Sequence, residues 1–137
     1  MEDRYLFKAK RLDNGEWVEG YLIYSKKDCY ICEKPYECMD EYSSLNGQSY
    51  GFGGFKFVDP STICQCTGLK KFCEKDIVKR IDIHKVGDPS IGIIEYDVEN
   101  TAFVIHWIDK QKYSPMYPWK DKIEVIGNVF DNPELLE

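Results

Sequence analysis

The sequence predicts a mainly β chain whose C-terminal half forms a small SH3-like barrel. Aromatic and β-branched residues fall into short alternating runs, turn residues such as Asp13-Asn14-Gly15 and Glu99-Asn100-Thr101 separate those runs, and several of them follow one another closely after residue 75. With 137 residues and 43% hydrophobic content, the chain is about one domain's worth of polypeptide or two small lobes. The division read from composition is an N-terminal β lobe over 1–66, a basic linker over 67–75 and the small barrel with a short terminal helix over 76–137.

Residues 4–10 (RYLFKAK) set Tyr5, Phe7 and Ala9 against Leu6, Lys8 and Lys10, and residues 16–24 (EWVEGYLIY) follow the Asn14-Gly15 turn, so the two form a hairpin. Residues 29–32 (CYIC) make a third strand. Residues 35–49 are polar and irregular, and the glycine–aromatic run from Tyr50 leads into a strand that stops at Asp59-Pro60. That run superficially resembles a phosphate loop, but it precedes a strand and no helix follows, so tight turns account for it. In the second half, residues 76–84 place Ile77, Ile81 and Ile83 on one face. Residues 91–98 and 102–108 form a hairpin, and 123–130 a last strand. At the end Asn132 caps, Pro133 takes the first helical position and Glu134 favours the positive end of a short helix.

Several fragments in order resemble the YopX family of bacteriophage and prophage proteins. They are residues 8–22 (KAKRLDNGEWVEGYL), 58–62 (VDPST) with Gln65 and Thr67-Gly68-Leu69, then 76–78 (DIV) and 124–136 (EVIGNVFDNPELL). The resemblance covers nearly the whole chain. It implies a complex open-barrel or folded-sheet architecture, a phage-encoded protein acting in the cytoplasm of the bacterial host, and self-association; it implies no activity. The chain departs from the family pattern at residues 70–76 (KKFCEKD), which lack the family's glycine-containing turn, and at Cys64 and Cys66, where small or aromatic residues are expected.

The six cysteines are Cys29, Cys32, Cys38, Cys64, Cys66 and Cys73. No charged-then-apolar leader opens the sequence, so a reducing compartment is expected and leaves metal ligands, a redox pair or inert buried thiols. Cys29 and Cys32 have a zinc-knuckle spacer. Cys64 and Cys66 do not, and on a strand the first pair splits between faces while the second shares one. Inert thiols and no bound metal or cofactor are therefore expected.

Catalytic signatures do not rise above the background of composition. His106, in FVIHWI, faces the same way as Val104 and Ile108 and reads as a core or interface histidine; His84 lies at a strand end. Asp40 with Glu41, Glu95 with Asp97, and Asp109 could hold magnesium, yet a chain with 24 acidic residues forms such pairs by chance. The reading is a non-enzymatic interaction module that assembles with itself, with a host or phage protein as a further partner. A metal-dependent enzyme is the remote alternative.

The closer alternative is a binder of single-stranded nucleic acid. Residues 107–119 carry Trp107, Tyr113, Tyr117 and Trp119 among lysines, a composition that suits base stacking and protein interfaces alike. Pro115 and Pro118 make the segment a loop or an edge. A net charge of −6 favours a protein partner and argues against duplex DNA or an anionic membrane, and Lys70, Lys71, Lys75, Lys79 and Arg80 are diluted by Glu74, Asp76 and Asp82.

Overall fold

A computed structural model of the chain describes residues 5–33, 55–69, 71–82 and 85–137. The protein is mainly β and divides into two compact units, Met1–Gln65 and Cys66–Glu137. The first begins with the hairpin of β1 (Phe7–Lys10) and β2 (Trp17–Tyr24), paired from Phe7↔Gly20 to Lys10↔Trp17. Gly15 closes the turn at φ 72°, a left-handed conformation open to glycine, and the Asn14 side chain accepts from the Glu16 N–H at 2.9 Å. The first part of β2 faces β1; its second part pairs with β3 (Cys29–Cys32), which pairs in turn with β4 (Phe55–Phe57).

With β5 (Cys64–Gln65) the sheet runs β4-β3-β2-β1-β5. One end curls back on itself: Arg11 bridges Val58, the Leu12 N–H donates to the Phe57 carbonyl at 3.0 Å, and the Asp59 N–H to the Lys10 carbonyl at 2.8 Å. Ala9, Val18, Cys29, Ile31 and Val58 fill the inside of the curl, with Phe7, Leu22 and Ile63 packed on them.

The second unit is a sheet ordered β10-β6-β7-β8-β9. Its strands are β6 (Asp76–Arg80), β7 (Ile91–Asp97), β8 (Ala102–Trp107), β9 (Lys112–Pro115) and β10 (Ile123–Asn128), and every pairing is antiparallel. The small barrel expected here does not close. After β9 the chain dips through Met116, 2% exposed, and a 3-10 turn at Tyr117–Trp119, so the core is covered by this crossing rather than by strand closure. That core holds Phe72, Val78, Ile94, Ile105, Trp107, Met116 and Ile123.

Three further expectations are corrected. The segment 67–75 is no free linker, because Phe72 and Cys73 are 5% and 4% exposed and Phe72 sits in the second core. The strand expected over 76–84 stops at Arg80: Asp82 takes the Arg80 guanidinium in a two-pronged pair at 2.8 and 2.7 Å, and Ile81 is 55% exposed. Ile83 and His84 lie outside the described residues, as do Cys38, Asp40, Glu41 and the glycine run 50–54. The terminal turn Pro133–Leu136 is a 3-10 turn with Pro133 at its start, but the Asn132 side chain does not cap it; the side-chain oxygen Oδ1 accepts from the Asn128 N–H at 3.2 Å instead.

Candidate interaction surface

Period-two alternation divides the four aromatic residues expected to share one surface. On β8, Phe103, Ile105 and Trp107 point to the core, while Val104 and His106 point away. Trp107 is 0% exposed, so it is a core residue and no part of a surface. Its indole N–H donates to the Ser114 hydroxyl at 2.9 Å across the β8–β9 pair, and its ring meets Trp119 edge-on at 5.1 Å. A buried indole needs such a partner, and Ser114 supplies it from the neighbouring edge strand.

The outward face of the same hairpin is built around His106 and Tyr113, which are register partners. Their rings stack at 4.4 Å with 14° between planes, and the imidazole reaches Glu95 through Nδ1 at 3.4 Å and Gln111 through Nε2 at 3.3 Å. Tyr113 thus has one face covered by the imidazole although it is 63% exposed. Beside it an open hollow of about 530 Å³ is lined by Glu95, Asp97, Glu99, Asn100, Val104 and others.

The hollow is acidic but not arranged for a metal. Asp97 accepts from the Asn100 side chain at 2.6 Å and from the Glu99 N–H at 3.1 Å, which holds its carboxyl below the usual range and commits it to the β7–β8 turn. Asp109 is likewise engaged by the Ser90 N–H and hydroxyl at 3.0 and 3.1 Å. Among the described residues no group of three or more His, Cys, Asp or Glu could hold a metal ion.

The 3-10 turn carries the other aromatic pair. Tyr117 is 67% exposed with the Lys120 ammonium 5.1 Å from its ring centre. Trp119 is half-buried against the core, and Arg80 and Lys122 lie 4.8 and 5.6 Å from its ring centre. Both cations are within cation–π range of the indole. Arg80 is itself committed to Asp82, whose carboxyl it holds below the usual range. Lys71, Lys75 and Lys79 are exposed; Lys70 lies outside the described residues.

All five described cysteines are buried thiols. Cys29 faces the first core, and Cys32 lies on the other face of β3 between its register partners Tyr21 and Phe55. Sequence reasoning missed β9, whose Lys-Tyr-Ser-Pro composition carries no apolar alternation. It also missed the Glu95–His106 contact, which the register of β7 against β8 creates.

The motifs that carry the family resemblance turn out to be turn builders. Asp59 accepts from the Ser61 N–H and hydroxyl at 3.0 and 2.8 Å, and the Thr62 hydroxyl donates to the Asp59 carbonyl at 2.7 Å while accepting from the Lys10 N–H at 2.8 Å. The Thr67 hydroxyl bonds the Leu69 N–H and the Phe72 carbonyl at 3.1 and 2.9 Å, around Gly68 at φ 83°. The Asn128 side chain accepts from the N–H groups of Phe130 and Asp131 at 3.0 and 2.9 Å. A β-carbon on Gly127 would lie 2.5 Å from the Asn132 side-chain oxygen Oδ1, so this turn admits only glycine there unless that side chain moves.

None of the described helical elements is long and apolar enough to cross a membrane. No curated protein and no solved structure matches the chain. A family model described as YopX protein matches residues 6–137, nearly the whole sequence, and the chain belongs to the YopX family.

Proposed function

We propose that this chain is a non-enzymatic interaction module that assembles with itself through the exposed aromatic residues Tyr113 and Tyr117. The observation that carries the reading is that both rings are about two-thirds exposed, Tyr113 stacked on His106 and Tyr117 beside the Lys120 ammonium. Ordered aromatic anchors lose little side-chain freedom on binding, which is why they dominate protein contacts. Charges of both signs neighbour them, Glu95 and Glu99 at the hollow beside Tyr113 and Lys120 at Tyr117. A two-fold contact can therefore set the acidic hollow of one copy against the lysines of the next.

A protein partner fits better than a nucleic acid, because Tyr113 borders carboxylates that repel phosphate. β9 is an edge strand, but Lys112 and Pro115 discourage strand addition, so the contact runs through side chains. Family membership supports a phage-encoded protein of the bacterial host's cytoplasm, with a host or phage protein as a further partner.

Light scattering on a chromatographically homogeneous sample over a tenfold dilution series tests the reading. A mass that is a multiple of 16.1 kDa and falls on dilution is expected. A 16.1 kDa monomer throughout, or retention on a single-stranded oligonucleotide column that Tyr113→Ala abolishes, would replace it.

A further inference from the structure

We propose that Cys66 and Cys73 form a redox couple that closes an intramolecular disulfide across the turn opening the second unit. Their sulfur atoms lie 3.0 Å apart, and the two residues face each other across an isolated antiparallel bridge. The Thr67 N–H donates to the Phe72 carbonyl at 2.9 Å just inside that bridge. Cys66 and Cys73 therefore occupy the narrow, non-hydrogen-bonded kind of pair, where α-carbons stand about 4.5 Å apart. Disulfides span roughly 4.4–6.8 Å between α-carbons, so the bond can form without moving the backbone far.

Among the described cysteines the pairing is selective. Cys29 and Cys32 point to opposite faces of β3 and cannot meet without rebuilding the strand, and the Cys64 thiol donates to the Thr62 carbonyl at 3.3 Å. Gly68 at φ 83° and the Thr67 hydroxyl hold the turn in the geometry that brings Cys66 to Cys73. Both thiols are buried, at 5% and 4% exposure, so exchange proceeds through opening of this turn.

The oxidant is a small-molecule disulfide such as oxidised glutathione. One protein thiolate attacks a sulfur of the reagent, forming a mixed disulfide and expelling one glutathione thiolate. The second protein thiolate then attacks the protein sulfur of that mixed bond and expels the other. Two electrons pass to the reagent, the two thiol protons end on the two released glutathiones, and one Cys66–Cys73 bond remains. The ring encloses Phe72, a residue of the second core, so oxidation staples the start of this unit to its interior.

The test uses the full chain, both folded and refolded from urea, in glutathione buffers stepped from fully reduced to fully oxidised. Remaining thiols are blocked with N-ethylmaleimide, and tryptic peptides are mapped by tandem mass spectrometry. Cleavage after Lys70 and Lys71 separates the two cysteines, so the disulfide joins two peptides. Fragmentation distinguishes Cys66 from Cys64 on the shared peptide. The expected product is the Cys66–Cys73 link, with the urea midpoint of the second unit raised by about 1 M and that rise lost in Cys66→Ser. Blocked thiols at both positions in the fully oxidised buffer after folding and refolding, a lasting glutathione adduct, or a link through Cys64 would overturn the proposal.

Discussion

Replacing Trp107 by alanine should cost about 4 kcal/mol. The residue is 0% exposed in the second core and presents its edge to Trp119 at 5.1 Å. A buried tryptophan hides roughly 150–250 Å² of surface, equivalent to about 4–6 kcal/mol at ~25 cal/mol per Å². Partial collapse of the neighbours recovers some of this, which places the cost within the ~3–5 kcal/mol seen for large aromatic truncations. The Ser114 hydroxyl also loses the indole N–H it accepts at 2.9 Å, but it lies on an edge strand where water can replace that donor. With a urea slope of about 2 kcal/mol per M, the midpoint should fall by about 2 M, followed by circular dichroism. Trp107→Phe keeps much of the apolar volume and should cost about 1–2 kcal/mol, a readable effect even if the alanine variant does not fold. A change within about 0.5 kcal/mol for Trp107→Ala, the size typical of a surface substitution, would refute the assignment of this ring to the core.

Thr62→Val removes a hydroxyl that joins the Asp59 carbonyl to the Lys10 N–H and should destabilise the first unit by about 1–3 kcal/mol in urea unfolding, whereas Thr62→Ser should cost about 1 kcal/mol or less. Gly127→Ala forces the Asn132 side chain out of the turn and should cost about 1–3 kcal/mol; an unchanged melting temperature would show that the turn yields freely. Asp13, Asp59, Asp82 and Asp97 have carboxyls held below their ordinary range by Arg11, Ser61, Arg80 and Asn100 respectively. Their folded pKa values lie below the unfolded value of about 3.9, so the stability they add is present above that pH and is lost as pH falls through the folded values. Melting curves should therefore show an acid limb below about pH 4, and Asp82→Asn should flatten it.

The hairpins were legible because local chemistry fixes them. Asn14-Gly15 can turn the chain where few other pairs can, and the alternation in residues 91–97 and 102–107 sets β7 against β8 in a single register. Aromatic density over 107–119 does not by itself place Trp107; the two-residue period does. Counted in twos from Ile105, the tryptophan falls on the core face and His106 on the other. The lysines of 67–75 obscured Phe72, whose apolar ring ties the segment to the second core. Tertiary partners decided the rest: Asn132 serves the Asn128 N–H rather than its own helical turn, and Met116 replaces barrel closure, neither of which a local pattern encodes.

Self-association through Tyr113 and Tyr117 is tested most directly by the dissociation constant of the double variant Tyr113→Ala/Tyr117→Ala, measured by sedimentation equilibrium beside Tyr24→Ala. Tyr24 is a matched control, 68% exposed on the first unit. Aromatic anchors contribute about 1–2 kcal/mol or more each, so the double variant should dissociate roughly 30-fold to 1,000-fold more readily while Tyr24→Ala leaves the constant unchanged. An unchanged constant in the double variant, or a loss of association on substituting Tyr24, would contradict the account.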